Sequence, residues 1–298
     1  MRICLKYVPI VLCLFVISCK QVNRNVTFFK DTKAYDLAKA VEKEDLNKVE
    51  SLVKSDIKLL EVIDPVSGSN VLSLALTLEN FECFKKLLAL GANPNFINPI
   101  TKRSVLIDAC TFYSKPEPYT IDLRYIRLLL EKGANPNYIV ENDFTDKEGN
   151  YHMATSAIHE ASALDLTMVK ILIKAGANPY KKLEQNQSPP FSSALKGFKN
   201  KFEITNYYID SLNVDINEPI SINVQMPSNK VVKFYIQDEV VNKYLLAKIK
   251  GDTLEINKLK KENKEIEKAN SEGWKFILKL EKLGIDFKNY EYKNNDYE

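Results

Sequence analysis

Gly91-Ala92-Asn93-Pro94-Asn95, Gly133-Ala134-Asn135-Pro136-Asn137 and Gly176-Ala177-Asn178-Pro179-Tyr180 are three copies of one signal. Each follows an apolar run with helical spacing, at residues 81–90, 123–132 and 167–175; Ile126, Leu129 and Leu130 set the period in the second. Glycine just past such a run stops a helix, because a residue without Cβ takes the left-handed conformation at little cost. The Asn-Pro that follows cannot continue a helix and opens a turn. Each unit therefore ends as helix, glycine stop and extended turn.

A second signal lies upstream of each stop. Asn70-Val71-Leu72-Ser73-Leu74-Ala75, Ser104-Val105-Leu106-Ile107-Asp108-Ala109 and Ser156-Ala157-Ile158-His159-Glu160-Ala161 each open a helix, and the motifs beginning at Tyr35 and Pro189 are weaker copies. Starts at 35, 70, 104, 156 and 189 leave gaps of 35, 34, 52 and 33 residues. The long gap accommodates insertions at 114–120 and 140–153.

With their T-P-L-H-x-A-like openings and Gly-Ala-x-x-Asn endings, these segments resemble ankyrin repeats, whose period is about 33 residues. The resemblance spans residues 33–217. It implies an all-α solenoid of stacked antiparallel helix pairs joined by β-hairpin or turn fingers. The opening Thr is replaced in every copy, and Pro and His are mostly missing, so a less regular array is expected. His159 is then a structural residue of the opening turn rather than a ligand or general base.

Beyond the clear repeats, the β-branched and aromatic residues 231–236 follow a Pro/Ser/Asn turn, so 221–225 and 231–236 are expected to form a hairpin. Residues 238–250 are expected as an inner helix ending at Gly251. Asp252 would cap a long charged helix over 253–270, with a last helix over 273–283 carrying Trp274 in the core. The expected organisation is a signal peptide at 1–18, a lipidated tether at 19–33, about five repeats over 34–219, a divergent cap at 220–288 and a polar tail at 289–298. Terminal repeats need a polar outer face, which the Lys/Glu run at 254–269 would supply.

The first residues are read as targeting information. Arg2 and Lys6 precede the apolar run 7–17, which is too short to span a bilayer comfortably. Val16-Ile17-Ser18-Cys19 resembles the lipobox of bacterial lipoproteins. That resemblance implies cleavage after Ser18, a lipid on Cys19 and a place in a bacterial cell envelope, facing the periplasm or the cell surface. An ordinary cleaved signal and an uncleaved anchor remain open. Lys20 rather than Asp after the cysteine favours outer over inner membrane by the enterobacterial pattern.

Composition narrows the chemistry. The 42 basic and 39 acidic residues give no field that would draw in nucleic acid. After the leader, only Cys83 and Cys110 remain as free thiol candidates; two buried thiols or one bridge are both open. His152 and His159 have no metal-ligand spacing, so neither metal nor cofactor is expected. Nucleophile-elbow, phosphate-loop, zinc-protease and dinucleotide-binding motifs are missing, and the chain is not expected to be an enzyme.

A repeat array offers a concave face of fingers and first helices to a protein partner. By the resemblance, its groove positions are Glu42 and Lys43, Thr77 and Leu78, Thr111 and Phe112, and Ala163 and Leu164. Leu78, Phe112 and Leu164 would then form an apolar strip, or else pack between neighbouring first helices. Phe144 and Tyr151, among Glu141, Asp143, Asp146 and Lys147, make the inserted finger a second candidate. The expected function is a monomeric, membrane-anchored scaffold, adaptor or inhibitor for an unidentified protein. An envelope-organising protein with several weak partners, and an enzyme or small-ligand binder using the insertions, are the alternatives.

Overall fold

The computed structural model describes residues 26–111, 113–114, 120–197, 201–225 and 230–290. The chain forms two compact units, divided between Ala134 and Asn135.

The first unit holds three helix pairs. These are α1 (Tyr35–Glu42) with α2 (Leu46–Ser55), α3 (Val71–Thr77) with α4 (Phe81–Ala89), and α5 (Val105–Thr111) with α6 (Leu123–Glu131). Short polar side chains start the helices: Asp45, Asn70 and Asn80 each accept the N–H three residues on, and Asp122 that of Arg124. First helices α1 and α3 pack together, as do second helices α2, α4 and α6, burying Leu37, Leu72, Phe84, Leu87, Ile126 and Leu129. Neighbouring pairs are also joined by polar contacts. Asn80 Nδ2 donates to the Val41 carbonyl at 2.9 Å. Lys86 reaches Glu50 at 2.5 Å, and hydrogen bonds from Lys54 and Lys86 hold the Glu50 carboxyl down to about 2. The insertion after α5 pairs β1 (Tyr113–Ser114) with β2 (Thr120–Ile121).

The glycine stops form as expected. Gly91 and Gly133 take φ of 101° and 86°, and Ala92 and Ala134 return hydrogen bonds to Leu87 and Leu129 at 3.0 and 2.9 Å.

The second unit begins with a two-tier finger. Its lower tier pairs β3 (Ile139–Val140) with β6 (Thr155–Ser156), and its upper tier pairs β4 (Phe144–Thr145) with β5 (Tyr151–His152). Two helix pairs follow: α7 (Ala157–Leu164) with α8 (Leu166–Lys174), and α9 (Pro190–Lys196) with α10 (Lys201–Asp210). Then β7 (Ser221–Gln225) pairs with β8 (Lys230–Phe234) over five residue pairs. The expected hairpin is there, with its second strand beginning one residue earlier. Helix pairs joined by hairpin and turn fingers are the ankyrin-repeat arrangement.

The C-terminal third departs from the expected helices. The span 238–250 is two helices, α11 (Ile236–Val240) and α12 (Lys243–Lys250), because Val241 and Asn242 are extended and the Asn242 side chain caps the second through Leu245 N. The span 253–270 is likewise broken. Asp252 caps α13 (Thr253–Glu262) as expected, but extended Asn263 ends it before α14 (Ile266–Ala269) and α15 (Ser271–Lys282).

Packing sets their partners. Short α11 lies against α9 and α15 lies against α10, while α12 and α13 pack on each other. Phe202 and Phe276 meet with centroids 5.1 Å apart, and Lys279 Nζ donates to Asn206 and Asp210 at 2.7 Å. Trp274 is half-buried rather than core, with the Lys248 ammonium 4.3 Å from its ring centre.

Candidate functional site

The two fingers of the first unit are organised by one side chain each. Buried Asp64 accepts hydrogen bonds from Val66 N, Ser67 N and Ser69 N at 2.9, 2.6 and 3.1 Å. Asn98 does the same for Ile100 N and Thr101 N at 2.8 and 3.0 Å, while its Nδ2 donates to Ser67 O at 2.9 Å and ties the fingers together. Gly68, at φ 71°, lies so close to Asn98 that an added Cβ would stand 2.5 Å from Oδ1. With the backbone fixed in this way, Val66 is left 58% exposed at the first tip.

Thr77 is the last residue of α3 and Leu78 follows as its C-cap. Leu78 is half-buried, and the Thr77 hydroxyl donates to Ser73 O at 2.7 Å. Thr111 is also half-buried and accepts from Arg103 Nη2 at 2.9 Å; Arg103 reaches it from the finger while Nε bonds Asp108 at 2.7 Å. Arg103 was no part of the sequence expectation, since a lone basic residue ahead of Ser104 carries no signal. Phe112 and Cys19 lie outside the described residues. In the second unit, Leu164 is the half-buried last residue of α7, directly before Asp165, whose side chain caps α8.

The inserted finger of the second unit is a hairpin. Asp146 shapes its tip by accepting from Asn150 N at 2.7 Å, Glu148 N at 3.1 Å and Asn150 Nδ2 at 3.0 Å. It also meets His152 Nε2 at 2.9 Å, and that hydrogen bond holds the Asp146 carboxyl down to about 2. Phe144 is half-buried and stacks on the His152 ring at 4.9 Å. Tyr151 points the other way, 63% exposed, with its hydroxyl donating to Asp143. Met153, which the sequence reading passed over, is 62% exposed.

His159 sits in the core of the second unit. Its Nε2 donates to the Ser188 carbonyl at 3.1 Å, so in the neutral ring Nδ1 accepts from the Ser156 hydroxyl at 2.7 Å. Burial pushes its pKa down to about 4. This placement gives it a structural task, holding one finger root to the next.

Cys83 and Cys110 are buried, unbridged thiols, and burial pushes the Cys83 thiol up to about 11. Among the described residues, no cluster of three His, Cys, Asp or Glu is arranged to hold a metal ion, and no helix is long and apolar enough to cross a membrane.

The chain is similar to the ankyrin repeat domain of human ASB11, known from a crystal structure. The two share 19% identity over 61% of this chain and 71% of that one, with a TM-score of 0.43. No protein-family model and no curated protein matches the sequence.

Proposed function

We propose that this chain is an interaction protein of a bacterial cell envelope, held to a membrane by a lipid on Cys19, that captures another protein with its fingers and first helices. The observation that carries the reading is the exposure of Val66, Tyr151 and Met153 on fingers whose turns are fixed by Asp64, Asn98 and Asp146. Apolar surface left in water forgoes about 25 cal/mol per Å² of stabilisation that a partner would restore. A frozen backbone also loses little entropy when that partner arrives.

The groove residues Thr77, Leu78 and Thr111 support the same reading in the first unit. Thr111 and Arg103 close part of the surface with polar contacts, while Leu78 offers an apolar one. Leu164 and Phe144, half-buried in the second unit, would line rather than anchor the contact. The anchor rests on Val16-Ile17-Ser18-Cys19. Acyl chains there would add about 0.8 kcal/mol of membrane affinity per buried methylene.

Affinity capture with residues 20–298 as bait tests the binding role. One stoichiometric protein partner is expected, and retention of no protein, combined with thermal stabilisation by a small molecule, would overturn the reading. The anchor is tested separately by radiolabelled palmitate, whose incorporation should vanish in Cys19→Ala. Label retained by that variant would rule the site out.

A further inference from the structure

The upper tier of the second unit's finger has two sides of different character. Thr145 opposes Tyr151 and Phe144 opposes His152. Opposed residues share a side and strand neighbours alternate, so Thr145 and Tyr151 lie on one side and Phe144 and His152 on the other; the Tyr151 hydroxyl bond brings Asp143 to the first side, and the same alternation carried one residue past β5 assigns Met153 to it. The Phe144 side is occupied within the chain by the Phe144–His152 stack and the His152–Asp146 contact.

Among the described residues, no such stack covers the Tyr151 side. Tyr151 and Met153 stand two residues apart and largely exposed, and the Tyr151 ring is steadied by its hydroxyl bond to Asp143. The Asp143 carboxylate is itself fixed by Ala154 N at 2.6 Å, and Asp143 N by Gln185 Oε1 at 2.5 Å. A rigid aromatic ring beside an unbranched thioether is a low-entropy apolar anchor.

The charge around this anchor is mixed with a negative excess, five carboxylates against three lysines over residues 141–148 and 181–184. Glu141, Asp143, Asp146 and Glu148 face only Lys147 within residues 140–153, since His152 is engaged with Asp146. The next finger adds Lys181, Lys182 and Glu184, and Lys182 lies 3.5 Å from Glu218. Glu141 Oε2 is shielded from solvent and accepts no hydrogen bond from any described residue.

Resting on the interaction reading above, we infer that the Tyr151–Met153 side of this finger docks a basic segment of the partner protein. An apolar side chain, or the stem of an arginine, lies against Tyr151 and Met153. The cationic head meets the Asp143 carboxylate, whose oxygens have lone pairs to spare, in a negative field to which Glu141 adds. Arginine suits the site best, because its guanidinium both stacks on an aromatic ring and forks onto a carboxylate. The same field repels nucleic acid and anionic lipid.

The test uses the full chain and three labelled ten-residue peptides: alternating Arg and Leu, alternating Glu and Leu, and alternating Arg and Ser. Fluorescence anisotropy is expected to show Arg/Leu binding at least tenfold tighter than either of the others. Tyr151→Ser combined with Met153→Ser should reduce that affinity about tenfold, and Glu141→Gln severalfold, with the thermal midpoint unchanged. Met153 makes no hydrogen bond through its side chain, so Met153→Ser alone keeps the test valid if the Tyr151 change loosens the hairpin. Equal binding of the Glu/Leu peptide, tighter binding of a single-stranded oligonucleotide, or Arg/Leu binding untouched by these substitutions overturns the inference. Binding lost in Leu78→Ser but kept in the finger variants would remove this inference and leave the interaction reading standing.

Discussion

At position 44 a glutamate occupies φ 56°, the left-handed region where Cβ crowds the carbonyl at a cost of roughly 1 kcal/mol that glycine escapes. Glu79 repeats the choice one repeat later at 59°, and Lys102 and Gln187 do so in the fingers at 58° and 53°. Glu44→Gly should therefore stabilise the chain by about 0.5 kcal/mol, after the added flexibility of the unfolded state is set against the strain relieved. Urea denaturation reads this directly, and a lower midpoint in the variant would mean that Glu44 is not strained. His159 makes a second residue-scale prediction. Its folded pKa of about 4 lies below the ordinary 6.5, so between those values the unfolded chain binds the extra proton. Stability is complete above pH 6.5 and falls toward pH 4 by roughly 3 kcal/mol from this group alone. Thermal melts across that window should show the loss, and His159→Gln should flatten it; an unchanged slope in the variant would place the titrating group elsewhere.

Glycine stops and opening motifs were legible as elements because one residue type does one job at each: Gly91, Gly133 and Gly176 all take positive φ at helix ends. The breaks at Val241–Asn242 and Asn263 were not legible. An asparagine on the polar side of an amphipathic pattern reads as one more exposed helical residue, yet Asn242 caps a new helix. Asn213, at φ 51°, stands near the end of α10 where earlier repeats place glycine, so that repeat's end carried no glycine to mark it. The docking of α11 on α9 and of α15 on α10 was hidden for the same reason: periodicity finds helices, while partners are chosen by packing. Phe276→Ala tests that assignment. If α15 is firmly packed on α10, losing the Phe276 ring against Phe202 should cost about 3–4 kcal/mol. A cost below 1 kcal/mol would show α15 to be a loosely docked appendage.

Each unit carries exposed apolar side chains on fingers with a fixed backbone, Val66 in the first and Tyr151 and Met153 in the second. Tyr151 was legible as a site candidate because it is an aromatic residue among charges. Met153 was not, since a methionine beyond a turn reads as ordinary core, and Arg103 was not, since its partner Asp108 acts only once the finger folds over α5. The account's central claim is that, within each unit, the fingers and first-helix ends are what the partner contacts. Hydrogen exchange of the chain with and without its captured partner tests it most directly. Added protection is predicted at residues 62–70, 96–104 and 140–155 and at the C-terminal ends of α3 and α5. Protection confined to α2, α4 and α6, or to α12–α14, with the fingers unchanged, would contradict it.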